Sequence, residues 1–164
     1  MTKEVNKSKL LKFITKAHRN TYAAPKEIKQ KNKMGVPFLP DHKCYYFRDG
    51  EWEYYDGYAG EEWAPGREVV LLKGKAVWAM SYQGKHNEDY PEEFFQKEVF
   101  PFLKRALTNM DESMPFRGPK EFVEGEFRYT FTLKGDYSYF TGREVIHHKG
   151  IEVFFQDVMG ELIK

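Results

Sequence analysis

Two stretches decide how this chain folds: GREVVLLKGKAVWAMSYQG at residues 66–84 and GREVIHHKGIEVFFQDVMG at residues 142–160. Laid over each other at a constant offset (142 − 66 = 76), they are identical at Gly66/Gly142, Arg67/Arg143, Glu68/Glu144, Val69/Val145, Lys73/Lys149, Gly74/Gly150, Val77/Val153 and Gly84/Gly160. Each holds a Lys-Gly pair between two apolar-rich runs. That is the pattern of a β-hairpin whose two-residue turn needs positive φ at both central positions. In the first stretch Trp78, Met80 and Tyr82 alternate with Val77 and Ala79, so the strand is apolar on both sides. A central strand has this character when a second layer or a cavity covers it.

Outward from these hairpins, CYYFRDGEWEYYDGY (44–58) places Asp49-Gly50 between two aromatic runs and reads as another hairpin. GEFRYTFTLKGDYSYF (125–140) alternates cleanly, with its turn expected at Lys134-Gly135. SKLLKFITKAHR (8–19) sets Leu10, Phe13, Ile14 and Ala17 on one helical face, with Asn6 or Ser8 as N-cap. Pro91-Glu92-Glu93 opens a second helix carrying Phe94, Phe95, Val99, Phe102, Leu103, Ala106 and Leu107. Pro101 is expected to kink or split it and to push Phe100 out of helical geometry. Residues 20–40, with Pro25, Gly35, Pro37 and Pro40, read as a long loop.

The expected fold is therefore α+β, a single domain over residues 1–164. Its antiparallel sheet of about eight strands comes from two similar helix-hairpin-hairpin halves (8–84 and 91–160), with the helices packed on the sheet. The first hairpins of the halves align at a larger offset (134 − 49 = 85). The nine extra residues fall just before Arg67, marking Tyr58 to Gly66 as an insertion in one half. Similar glycine turns in unrelated hairpins are the plainer explanation of the likeness, since turn chemistry forces such glycines.

At 164 residues, 41% hydrophobic and 31% charged, the chain matches a soluble globular domain, with no apolar run long enough for a membrane span and no secretory signal. One cysteine, Cys44, excludes an internal disulfide and fits a reducing cytoplasm. Residues 1–43 carry eleven Lys/Arg and three Asp/Glu (11 − 3 = +8), and residues 44–164 carry fifteen and twenty-two (15 − 22 = −7). The basic stretch, centred on a loop over 24–43, could track phosphates. It reads better as a solvated charge run beside an acidic body, so nucleic acid is not the favoured partner.

Catalytic and cofactor signatures are absent: there is no nucleophile elbow, phosphate-binding loop, dinucleotide fingerprint or zinc-protease motif. His147 and His148 point to opposite faces of a strand and cannot share one metal ion without a bulge. Cys44 with His42 two residues earlier reads as a small buried side chain rather than a nucleophile. Two restrained loops stand out. DGYAGEEWAPG (56–66) carries Trp63, and PFRGP (115–119) holds Arg117 between prolines with little entropy to lose on meeting an anion. The structural alternatives are that Trp63 caps the core and that Arg117 pairs with Glu121 or Glu124.

KAHRNTYA (16–23), YYDGYAG (54–60), VWAMSYQG (77–84) and PFRGP (115–119), in this order and spacing, resemble a family of uncharacterised prokaryotic domains of unknown function. In that family the domain stands alone or behind an XRE-type helix-turn-helix. The resemblance covers nearly the whole chain, departs from the family at the basic stretch from Lys26 to Lys43, and implies a sensing or regulatory role. The expected function is a cytoplasmic, non-enzymatic regulatory domain binding a small organic ligand. Tyr22, Tyr54, Tyr58, Trp63, Trp78 and Tyr82 would enclose the ligand and Arg117 would fix an anionic group, with no metal or cofactor. The alternatives are a protein-interaction module, with a second copy of the chain as one partner, and an enzyme using Glu61 or Glu62 with a histidine.

Overall fold

A computed structural model describes residues 5–61 and 63–164. Helix α1 (Lys7–Asn20) is capped by Asn6, whose Oδ1 accepts from the Lys9 N–H at 3.0 Å, and it buries Leu10, Phe13, Ile14 and Ala17 as its spacing requires. Strands β1 (Lys43–Asp49), β2 (Trp52–Tyr58), β3 (Gly66–Leu72) and β4 (Lys75–His86) form one antiparallel meander. Strands β5 (Glu121–Glu124), β6 (Phe127–Asp136), β7 (Tyr139–His148) and β8 (Ile151–Leu162) form another. They join through β4 and β8 into one eight-stranded antiparallel sheet of order β1-β2-β3-β4-β8-β7-β6-β5. The strand from 75 to 86 is thus central, as its two-sided apolar character implied. Of the second layer or cavity expected over its other side, no second layer is present among the described residues, and Ser81 and Gln83 are exposed there. That outer face is polar, with Arg143 paired to Asp157 across β7 and β8.

Both Lys-Gly turns form as expected: Lys73-Gly74 and Lys149-Gly150 have φ of 54° and 74°, and of 52° and 82°. Other expectations fail for identifiable reasons. The third turn lies at Tyr137-Ser138 rather than Lys134-Gly135, since β6 and β7 stay paired out to Asp136 and Tyr139. Asp136 Oδ1 holds that turn by accepting from the Ser138 N–H and hydroxyl. Residues 139–148 form one strand shared by two expected hairpins, and β5, too short and charged to show periodicity, completes the count.

Helix α2 (Lys26–Asn32) occupies part of the expected loop. Pro25 precedes it and Glu27 suits its first turn; Asn32 Nδ2 donates to the Asn20 carbonyl at 2.6 Å and ties it to the end of α1. Helix α3 (residues 92–108) begins as Glu92–Phe94, widens into a π-helical turn over Phe95–Val99, and continues as Phe100–Thr108. Pro101 does not break it. Phe100 keeps helical angles (φ −70°, ψ −36°) and donates to the Phe95 carbonyl, five residues back. The widened turn therefore accommodates the proline ring and its missing donor.

The sheet's inner face meets α1 and α3 in one apolar core that contains Phe95, Phe102 and Leu107 of α3, Trp78 and Met80 of β4, and Phe131 and Phe140 of the second meander. Trp78 is fully buried with its ring stacked beside Phe116 and Phe140 at 5.9 and 6.2 Å.

Candidate functional site

Polar side chains interrupt this apolar face where the two meanders meet. In β2 the inward row is Tyr54, Asp56, Tyr58; in β3 it is Gly66, Glu68, Val70; in β7, Gly142, Glu144, Ile146; and in β8, Phe154, Gln156, Val158. The register sets Asp56 directly opposite Glu68, and Gln156 between Glu144 and Gly84. All three carboxylates are almost entirely buried. Buried charge survives only with partners, and each has one.

Glu68 Oε2 lies 2.7 Å from His18 Nε2 at the end of α1, and Tyr54 also reaches it. Glu144 receives both arms of Arg117, Nη2 at 2.8 Å and Nε at 3.2 Å, and a third bond from the Tyr129 hydroxyl at 2.9 Å. Tyr129 in turn accepts from the Gly118 N–H at 3.0 Å, locking the PFRGP loop onto β6. Asp56 accepts from the Tyr82 hydroxyl at 2.6 Å, its one hydrogen-bond partner among the described residues. A Cβ at Gly66 would overlap the Tyr82 ring, so this glycine is what allows the tyrosine to reach Asp56.

Burial, followed by the Glu68 charge, raises the Asp56 carboxyl from 3.8 to about 7; the Tyr82 hydrogen bond opposes this. Asp56 therefore exchanges its proton near neutral pH. Burial raises Tyr22 to about 12 and lifts Tyr54, Tyr58 and Tyr82 as well, so these phenols keep their protons.

Above this floor, between α1, α2, α3 and the sheet, lies a cavity of about 310 Å³. Tyr22, Tyr45, Tyr54, Tyr58 and Tyr82 form its walls. Gln156 borders it, and the buried Nε2 of that amide has no hydrogen-bond partner among the described residues. Five lysines surround it: Lys26, Lys29 and Lys33 on or beside α2, Lys43 on β1, and Lys104 on α3. Lys29 Nζ stands 4.3 Å from the Tyr22 ring centre and 5.2 Å from that of Tyr45, and Lys104 Nζ is 5.6 Å from Tyr22. Burial, then the charge of Lys104, lowers Lys29 to about 8. Lys43 is held by Glu61.

Of the residues expected to bind a ligand, Tyr22, Tyr54, Tyr58, Tyr82 and Arg117 border this cavity. Trp63 and Trp78 do not. Trp63 is 41% exposed, its indole N–H pointing to His86 Nδ1 at 3.0 Å with Lys85 4.7 Å from its ring, so it neither caps the core nor faces the cavity. Arg117 is committed to Glu144 rather than free for an anion. Glu121 and Glu124 pair instead with Arg128 and Arg105. Glu61 meets a lysine rather than a histidine, and Glu62 lies outside the described residues. Cys44 is buried while His42 is half-buried and bonded to the Pro40 carbonyl, so they form no couple. Among the described residues no group of three or more His, Cys, Asp or Glu could hold a metal ion.

Sequence reasoning missed His18, Asp56, Glu68, Glu144, Gln156 and Lys104, and placed Lys29 only within the basic stretch that could track phosphates. A signal existed for the carboxylates. Asp56 lies in register with Tyr54 and Tyr58, and Glu68 and Glu144 sit at matching positions of the opening stretches, two residues from an inward valine or isoleucine. An acid in an inward register is the informative exception to binary patterning.

Residues 56–163 match the family DUF5680, a domain of unknown function, and the chain belongs to it. No curated protein and no solved structure matches the chain. The matched segment contains Asp56, Glu68, Tyr82, Arg117, Glu144 and Gln156, whereas His18, Tyr22, Lys29 and Tyr45 precede it.

Proposed function

We propose that this member of the DUF5680 family is a non-enzymatic regulatory domain that binds a small organic molecule in the cavity between its helices and sheet. The observation that carries this reading is the cavity itself. About 310 Å³ lies within the size range of small-ligand sites, its walls are aromatic, and a few buried polar groups converge on its floor. The resemblance to prokaryotic domains that stand behind XRE-type helix-turn-helix units supports a sensing role. A single buried, unpaired cysteine supports a cytoplasmic setting.

The register of β4 on β8 supports an origin from one duplicated helix-hairpin-hairpin unit. Met80 faces Gly160; Gln156, the counterpart of Met80 at the 76-residue offset, faces Gly84, the counterpart of Gly160; and Tyr82 faces its own counterpart, Val158. Glu68 and Glu144 are then one position used twice. The second copy is saturated by Arg117 and Tyr129, and the first opens onto the cavity.

Native mass spectrometry of protein purified from cells, joined to a thermal-shift screen of a metabolite library, tests the reading. A co-purifying or stabilising small molecule whose effect disappears in Tyr58→Ala supports it. Protein that carries nothing and responds to no library member refutes it.

A second reading, a protein-interaction or self-association module, rests on one observation. Val36, Phe38 and Leu39, between α2 and β1, expose 83%, 44% and 43% of their surface. Sedimentation equilibrium of the chain and of a Val36→Ser, Leu39→Ser variant distinguishes a concentration-dependent dimer from a monomer.

A further inference from the structure

The cavity is asymmetric in its chemistry. Its mouth is cationic. Lys29 and Lys104 both lie against the Tyr22 ring, and among the described residues neither makes an ion pair. Surface lysines ordinarily keep their ammonium in water or against a carboxylate. Bringing two together beside one aromatic ring, partly out of water, costs like-charge repulsion and desolvation. An anion between them would remove both costs and raise the affinity of each ammonium for its proton.

The floor is different. Arg117, the strongest cation near it, is fully used by Glu144, so no free positive charge waits there. What the floor offers is an acceptor and a donor at separate points: the Asp56 carboxyl, bonded among the described residues to Tyr82 alone, and the Nε2 of Gln156, without a partner among them, in a residue 93% buried (100 − 7) and bordering the cavity. A buried amide N–H left without a partner carries the full penalty of its lost hydration. A polyhydroxyl ligand answers both groups with different hydroxyls, one giving its hydrogen to the carboxyl and another taking one from the amide. The tyrosine walls suit the C–H faces of a ring.

Resting on the reading of the cavity as a ligand site, we infer that its ligand is a hydroxylated organic anion of about sugar-phosphate size. Its phosphate or carboxylate would be held at the mouth by Lys29 and Lys104, and its hydroxyls on the floor by Asp56 and Gln156. The volume agrees, since about 310 Å³ equals the share of about ten liquid waters at ~30 Å³ each. It admits a pentose or hexose phosphate or a hydroxy acid and is tight for anything much larger.

The experiment is isothermal titration of the full chain with glucose 6-phosphate, ribose 5-phosphate, adenosine 5′-monophosphate and gluconate. Each is paired with its uncharged parent: glucose, ribose, adenosine and gluconolactone replaced by sorbitol. Inorganic phosphate alone serves as the headgroup probe. At least one charged member should bind roughly tenfold or more tighter than its parent, with an advantage that shrinks as salt is added. A Lys29→Met, Lys104→Met double variant should erase that advantage while leaving the parent's affinity within about twofold. Gln156→Leu should weaken charged and uncharged members alike. Both lysines are at the cavity edge rather than in the core, and an unchanged urea midpoint checks that the double variant is folded.

Equal affinity for charged and uncharged partners overturns the inference, as does undiminished binding by the double variant. Binding of inorganic phosphate as tight as that of the best sugar phosphate overturns the hydroxyl half. If none of these probes binds but the library yields a neutral ligand lost in Tyr58→Ala, the inference fails and the cavity remains a ligand site. If nothing binds at all, both fail.

Discussion

Replacing Asp56 by asparagine removes a titrating group from the buried inner face of the sheet while keeping an oxygen that can accept from Tyr82. In the folded protein the carboxyl titrates at about 7, against 3.8 for an unperturbed aspartate. Between these values the folded chain therefore binds more protons at this position than the unfolded chain does. Stability consequently falls as pH rises through that window and levels off above it. A change from 3.8 to about 7, at ~1.4 kcal/mol per pH unit, gives a loss of about 4 kcal/mol. Burial supplies the largest part, and the facing Glu68 adds to it. D56N should therefore match the parent near pH 4 and exceed it progressively, up to about 4 kcal/mol at pH 8. In a chain of this length that corresponds to a midpoint about 8–16 °C higher. The assay is urea unfolding followed by tryptophan fluorescence at pH 4, 5, 6, 7 and 8 for both proteins, since Trp78 is wholly buried in the native core. Taking the difference between the two curves cancels the groups that do not interact with Asp56 and leaves Asp56 together with its interaction with Glu68. A difference that stays flat with pH, or one that favours the parent at high pH, would refute the reasoning.

Arg117→Met leaves the Glu144 charge buried with only the Tyr129 hydroxyl and should cost about 3–5 kcal/mol in chemical denaturation; adding Glu144→Gln should restore a measurable part of it, read by a double-mutant cycle. Gly84→Ala would place a Cβ 2.6 Å from the Gln156 Cα and against the β8 backbone. It should lower stability by about 1–3 kcal/mol or more, whereas Gly35→Ala, with nothing within 4 Å, should be neutral or slightly stabilising. Trp63→Ala should change stability by less than about 1 kcal/mol and leave ligand affinity unaltered, because its ring stands outside the cavity; a large loss of binding would place the Trp63 ring in the site after all.

Much of this structure is written locally. The Lys-Gly turns at 73–74 and 149–150, the apolar stripe of α1, its Asn6 cap and the central place of the strand from 75 to 86 all follow from φ preference and side-chain periodicity within about ten residues. Where local signals competed, they misled. Pro101 argued for a broken helix because a proline removes one hydrogen bond, and the π-helical turn before it absorbed that loss. Pro25 and the lysines of α2 argued for a loop because nothing apolar marks a face. The helix forms where it can dock beside the end of α1 and β1, reached through Asn32, Lys33 and Met34.

The candidate site divides along the same line. Tyrosines 54, 58 and 82 were legible as inward-facing, since alternation along a strand decides which side a residue takes. Which of those residues border empty space was not, because alternation is blind to what the opposing layer supplies. Trp78 and Tyr82 share a face of β4, but Phe116 fills the space against one while the other opens onto the cavity. Three partners of the buried acids come from 26 to 50 positions away: His18 to Glu68, Arg117 to Glu144, and Tyr82 to Asp56. By itself the sequence determined most of the strands, the two Lys-Gly turns and the inward face of an α+β sheet, because these depend on periodicity and backbone preference. Only the tertiary structure decided that two buried carboxylates, five tyrosines and a ring of lysines meet around one cavity, because pairing and burial are properties of how distant segments pack.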